Sequence, residues 1–308
     1  MPNLHDIERR INSVKSTKQI TRTMEMVAAA KIRHATERVE AASPYAQSMN
    51  EMLASVAECI GDAQQDYLIA RDTIKKVLFV VIVSDRGLAG GFNTNVLRHA
   101  EQLIKERQNK GQEIALVTCG KKALAYFKYR KLEPVKSFVD LSADPSEEQA
   151  QSLGRYILAE YEQAGIDEAY LVYNHAKNAA EQVLRTEQLL PVPTQGLFEA
   201  EKKGNCAQEE GESSCATEAS PSARLDFEPD PETVLKALIP AYVKTSIYHA
   251  LIDSAAGEQG ARRNPMKSAT DNANDMVDSL TRIYNRVRQG AITTEISEIV
   301  GGAAALEE

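Results

Sequence analysis

Two stretches, one at each end of this chain, are too long as helices to be contained in a compact domain of its size. From Leu4 to about Ala57 the only strong helix breaker is Pro44, and Ala, Glu, Lys, Arg and Met dominate, which predicts one very long helix. Leu4, Ile7, Ile11 and Val14 step by three, four and three, the seam of a coiled coil. The seam is then expected to pass through Ile20, Met24 and Val27 into the small residues of "MVAAAKIRHA". At the other end "EPDPETVLKAL" opens a second helix, with Asp230 placed to cap it and Pro231 at its first position. Its pattern runs to about Val300, with an expected seam of Met266, Ala269, Ala273, Met276, Leu280, Ile283 and Val287. At 1.5 Å per residue the first helix is about 80 Å long and Pro240 to Val300 about 90 Å. The economical solution is an antiparallel pair that projects from a globular part, with both termini at its far end.

Between the helices, residues 75 to 195 read as α/β. Val77–Val83 is a continuous buried-type strand, Thr94–Gln108 a helix, Ile114–Thr118 a strand, Lys121–Tyr129 a helix, Glu147–Gln163 a helix and Ala169–Tyr173 a strand. "EQVLRTEQLLPVP" closes the set as a strand. Such alternation predicts a small, mostly parallel, Rossmann-like sheet flanked by helices. Residues 196–229, rich in Glu, Ser, Gly and Ala, read as an acidic, flexible insert. The expected division is therefore 1–60, an N-terminal coiled-coil helix; 74–195, a central α/β domain; 196–229, the insert; and 230–308, a C-terminal coiled-coil helix.

Composition narrows the class. With 43% hydrophobic residues, 26% charged and no Trp, the chain can bury a core and reads as helix-rich and soluble. Its longest apolar run, Val77 to Val83, falls far short of the roughly 20 residues that span a bilayer, and "MPNLHDIERR" has no signal-peptide core. A cytoplasmic chain, or one peripheral to a membrane, is expected. Four cysteines, at 59, 119, 206 and 215, are too few and scattered for a disulfide scaffold. The net charge of −8 is uneven: residues 196–232 hold ten acidic against three basic residues, whereas the first forty hold eight basic against five acidic.

The motif that invites a chemical reading is "VLFVVIVSDRGLAGGFN", where a strand breaks into a glycine-rich turn at the kind of junction that cradles phosphates. A Walker loop needs GxxxxGK followed by Ser or Thr, and a dinucleotide fingerprint needs GxGxxG. Neither is present, so no nucleotide, cofactor or metal is expected, and the glycines are read as shaping a tight strand-to-helix turn. Asp85 and Arg86 are candidates to pair with each other or with a partner protein. His5, His34, His99, His175 and His249 lack metal-ligand spacing and read as surface or satisfied helix residues. Arg9, Arg10, Lys15, Lys18, Arg22, Lys31 and Arg33 form a basic face that could flank a coiled coil, meet acidic protein surfaces or bind nucleic acid. Glu25 and Glu37 interrupt it and stacking aromatics are missing, which weighs against nucleic acid. "AITTEISEIVGGAAAL" is unusually apolar for a chain end and calls for a packing partner.

Four separated segments, in order, carry a resemblance. "IERRINSVKSTKQITRTMEMVAAAKIRHA", "SDRGLAGGFN", "MKSATDNA" and "IYNRVRQGAITTEISEIVGGAAAL" resemble the N-terminal helix, the signature loop, a C-terminal turn and the C-terminal end of the gamma subunit of bacterial F-type ATP synthases. The resemblance implies a non-catalytic rotor in a proton- or sodium-translocating complex, one copy per hexamer of alpha and beta subunits, with the epsilon subunit and the c-ring as further partners. It implies a peripheral position at the cytoplasmic face of the plasma membrane. Catalysis and nucleotide would belong to the beta subunits, and an asymmetric shaft would bias them by contacting each differently. By the same resemblance Met24, Lys31 and Arg33 face beta, and Gln259 and Arg262 form a polar catch for a beta loop. Arg288, Gln289, Thr293 and Glu295 lie in a coupling segment near the sleeve. Asp85, Arg86, Gly87, Gly90 and Gly91 form a contact near the base of the shaft.

Two departures from the family pattern stand out. "ARRNPMKS" puts Arg263 and Pro265 inside the long helix, where proline removes a backbone hydrogen bond at a cost of about 3 kcal/mol; a bend near residues 261 to 265 is expected. Cys206 and Cys215 sit in the acidic insert at about the place where chloroplast gamma subunits carry a redox dithiol, so a disulfide that restrains rotation is one reading and two free thiols the other. Different classes remain as alternatives: a coiled-coil or nucleic-acid-binding scaffold with an α/β head, and an α/β nucleotide hydrolase.

Overall fold

The computed structural model describes residues 3–60, 67–68, 71, 73–141, 144–163, 165–178, 181–193, 228 and 230–304. Residues 196–227, with Cys206 and Cys215, lie outside the described residues. Two compact units are present: Met1–Ala30 with Arg262–Glu308, and Lys31–Ala261. Two long helices, α1 (Leu4–Ile60) and α5 (Pro231–Ala304), contribute to both.

The larger unit is built on a five-stranded sheet of order β3-β2-β1-β4-β5. Its chain order is β1 (Lys76–Ile82), α2 (Phe92–Asn109), β2 (Glu113–Cys119), α3 (Lys121–Tyr129), β3 (Lys136–Phe138), α4 (Glu147–Glu162), β4 (Glu168–Ala176) and β5 (Gln182–Leu190). Strands β1 to β4 are parallel, and β5 returns antiparallel to β4. β1 is buried on both faces, which explains its unbroken apolar run. Val77, Phe79, Val81 and Val83 pack with Val96, Leu97 and Ile104 of α2 and with Phe127 of α3. Leu78, Val80 and Ile82 belong to a second core with α4 and parts of the long helices, among them Leu53, Leu153, Ile157, Val243 and Ile247. Arg38 joins three elements: it donates to Asp144, to the Pro145 carbonyl (2.5 Å) and to the Tyr248 hydroxyl (3.1 Å).

Local rules place the ends. Ser146 caps α4 with a reciprocal capping box to Gln149. At the start of α5, Asp230 accepts from the Thr233 backbone N–H (2.9 Å) and hydroxyl (2.8 Å), with Pro231 following as the first helical residue. β3 is absent from the sequence reading. It is three residues long with one large apolar side chain, so only pairing with β2 defines it.

In the smaller unit, segments of α1 and α5 lie side by side, with the Thr21 and Thr270 hydroxyls 2.8 Å apart. Leu4, Ile7, Ile11 and Val14 are turned inward. Beyond them the expected seam needs correction: Met24 is half-buried as expected, but Ile20 and Val27 are exposed, and Lys18, Thr21, Glu25 and Ala28 are inward with Met24. On α5, Met266, Ala269, Ala273, Leu280, Ile283 and Val287 are turned inward as expected, whereas Met276 is 53% exposed, and Thr270, Val277 and Tyr284 join the inward face. Met276 and Val277 both fit an alternation of threes and fours, so spacing alone could not choose between them. The Thr21 and Thr270 hydroxyls also reach the Lys18 and Met266 carbonyls of their own helices, at 3.0 and 2.9 Å. Pro265 does not interrupt α5, which is helical at every residue from Pro231 to Ala304.

Candidate functional site

In an open parallel sheet, ligands sit at the carboxyl ends of the strands where the strand order reverses. Here that point lies between β1 and β4, whose order neighbours run to opposite sides. The loop after β1 is built from its own polar groups. Ser84 donates its backbone N–H to Asn93 Oδ1 (2.9 Å) and its hydroxyl to the Arg86 carbonyl (2.5 Å). Asp85 Oδ1 accepts the backbone N–H groups of Lys121 (2.9 Å) and Asp140 (3.1 Å), so this carboxylate splices the ends of β1, β2 and β3. Leu88, at φ 64°, and Gly90, at φ 54°, both take the left-handed conformation. Leu88 points outward, 64% exposed, on a groove of about 460 Å3 that Lys122, Tyr126 and Tyr129 also line.

The crevice is filled by the chain itself. Asp253 of α5 accepts from the Ala176 backbone N–H (3.0 Å) and from His175 Nδ1 (2.6 Å) at the end of β4. Asn174 donates to the Phe92 carbonyl at 3.0 Å, linking β4 to the start of α2. Phe92 packs with Ala89 and Ala261, and its own backbone N–H is taken by the Ala89 carbonyl at 3.1 Å. The glycine-rich turn therefore serves a helix-in-crevice contact. Cys119, at the end of β2, is buried, and burial together with the charge of Asp85 pushes its thiol up to about 12. Among the described residues no three His, Cys, Asp or Glu side chains are grouped to hold a metal, and no helix is long and apolar enough to cross a membrane.

The residues singled out in the sequence are distributed as follows. Asp85, Arg86, Gly87, Gly90 and Gly91 form one loop, with Arg86, Gly90 and Gly91 exposed. Lys31 is exposed, Arg33 is exposed and pairs with Glu37 at 3.0 Å, and Met24 is half-buried in the other unit. Arg288, Gln289, Thr293 and Glu295 are all exposed on α5, although the Thr293 hydroxyl bonds back to the Gln289 carbonyl at 2.9 Å. Gln259 and Arg262 are only 6% and 8% exposed, so both are enclosed by their own chain. His175, read as a surface or helix residue, is instead a strand residue that bonds Asp253. Asp253 itself was not singled out. The available signal was a carboxylate in an otherwise small and apolar helical run, "ALIDSAAG".

A family model described as ATP synthase matches residues 3–306. The ATP synthase gamma chain of Heliobacterium modesticaldum is 42% identical over 306 residues, covering 99% of this chain and 100% of that one. The chain belongs to the ATP synthase gamma-chain family. A second family member, the gamma chain of Leptospira biflexa, is 40% identical over 301 residues and 98% of each chain. Among solved structures, a chain of the Tetrahymena thermophila mitochondrial ATP synthase central stalk and c-ring aligns at TM-score 0.57 and 27% identity, over 81% of this chain and 99% of that one. A chain of the Euglena gracilis mitochondrial ATP synthase shares the fold, at TM-score 0.63 and 19% identity over 98% and 94%. As a gamma chain it is a non-catalytic, central-stalk subunit. The nucleotide-hydrolase and scaffold alternatives are thereby set aside.

Proposed function

We propose that this gamma chain is the rotor shaft that couples ion-driven rotation of a c-ring to conformational change in catalytic beta subunits. It turns within a hexamer of alpha and beta subunits and is seated with an epsilon subunit on the c-ring, at the cytoplasmic face of the plasma membrane. The observation that carries this reading is the end of α5. Residues 288–300 are exposed without exception, and they include Ile292, Ile296, Ile299 and Val300, whose exposure runs from 48% to 66%. An apolar helix end of this kind marks an interaction surface, and a sleeve formed by partner subunits would cover it. Met24, Lys31, Arg33 and the coupling segment Arg288, Gln289, Thr293 and Glu295 are proposed to meet beta. Asp85, Arg86, Gly87, Gly90 and Gly91 are proposed to form a contact at the base of the shaft. Gln259 and Arg262 are proposed to engage a beta loop only through the little surface that they leave open. Should Cys206 and Cys215 form a regulatory disulfide, reductant would change the ATPase rate of the complex; an unchanged rate removes that role.

Co-expression with alpha and beta subunits tests the reading. One copy of the chain per hexamer is expected, with ATPase activity in the complex and none in the isolated chain. Failure to assemble, or ATPase activity of the chain alone, would overturn it.

A further inference from the structure

We propose that the enclosed part of α5, Asp253 to Ala261, is the grip through which the α/β unit passes torque to the long helix, with Asp253 as its positioning residue. This rests on the rotary reading above. Every residue of α5 from Ala250 to Ala261 is buried, so more than three turns are surrounded on all sides. Part of the enclosed surface is smooth: Ala255, Ala256, Gly257, Gly260 and Ala261 offer no large side chain for the surroundings to push against, while Glu258 and Gln259 are buried beside them. Apolar contact is non-directional, so the small-residue part of this surface resists rotation about the helix axis poorly. Two features give the contact a direction. One is Asp253, which engages the end of β4 through both oxygens, taking the Ala176 N–H at 3.0 Å and His175 Nδ1 at 2.6 Å. As a carboxylate it can only accept, so His175 carries its hydrogen on Nδ1. The other is Gly257, where an added Cβ would stand 3.3 Å from the Phe92 ring and 3.5 Å from the Asn174 carbonyl. Asp253 fixes the angle of the helix in the crevice, and the close approach at Gly257 holds it there. A turn of the helix must break both Asp253 bonds.

The test uses the full complex, reconstituted in vesicles, with ATP hydrolysis and ATP-driven ion uptake measured on the same preparation. Asp253→Ala is expected to leave hydrolysis little changed while uptake per ATP falls several-fold. Asp253→Asn, which keeps an acceptor for the Ala176 N–H, recovers part of the loss. His175→Ala removes one of the two bonds at a partly exposed side chain and shows a smaller loss in the same direction. It supplies the answer if Asp253→Ala does not assemble. A role confined to folding would lower both rates together, and that result, or an unchanged uptake per ATP in the variants, overturns the proposal. Absence of uptake in the wild-type complex would count against the rotary reading instead.

Discussion

Asn174 donates its side-chain amide to the Phe92 carbonyl at 3.0 Å, and both residues are buried. This bond closes the crevice between β4 and the start of α2. Replacement by leucine keeps the volume and leaves the carbonyl without its donor, at a cost of about 1–3 kcal/mol. Denaturant unfolding of Asn174→Leu should show a lower midpoint with an unchanged slope, and an unchanged midpoint would mean that the bond is dispensable.

The opposite effect is expected at Thr118. It is fully buried in β2, and its hydroxyl finds no partner. Thr118→Val replaces that hydroxyl with a methyl group and removes a desolvated polar atom. A gain of about 1 kcal/mol is expected, visible as a raised melting temperature.

Acid should act through Asp167. Burial alone would raise its pKa, but hydrogen bonds from the Lys76 N–H, the Arg71 guanidinium and the Lys75 N–H outweigh burial and hold it below the ordinary value. A carboxylate with a depressed folded pKa stabilises fully above its unfolded value, about 3.9, and loses that contribution as pH falls through the folded value. Wild type should therefore lose stability below about pH 4 more steeply than Asp167→Asn. Parallel pH profiles for the two proteins would remove this assignment.

Leu88 separates stability from assembly. Its left-handed backbone is costly for leucine and tolerated by asparagine, so Leu88→Asn should stabilise the isolated chain by up to about 1 kcal/mol. If this loop meets a partner, as proposed above, the same change removes an exposed apolar anchor and weakens retention in the complex. Both effects can be read on one variant, by melting temperature and by the fraction of chain that co-purifies with the hexamer.

Regular periodicity made most of the fold legible. The unbroken run of β1, the apolar spacing of α2 and α4 and the cap at Asp230 all express local rules, and their boundaries fall within a few residues of those expected. β3 carries too few residues for a period and exists through its neighbour. The coiled-coil seam was legible but for Met276, because Val277 fits the same spacing; the Thr21 contact that adds Thr270 to the inward face beside Ala269 spans 249 positions of sequence. The enclosed stretch of α5 was the hardest to read. Asp253, Glu258, Gln259 and Arg262 look like solvent-facing residues in "LIDSAAGEQGAR", yet all are nearly buried. A buried polar group depends on partners, and those of Asp253 lie on β4, 77 and 78 residues away.

The enclosure of α5 also sets a rule for insertions and deletions. One residue gained between Pro231 and Ala250 would rotate everything downstream by about 100° and point the Asp253 carboxylate away from His175. A gain of seven residues misses full register by only about 20°. Length variation in that segment should therefore be tolerated in whole heptads and rejected in single steps, even where every substitution is harmless.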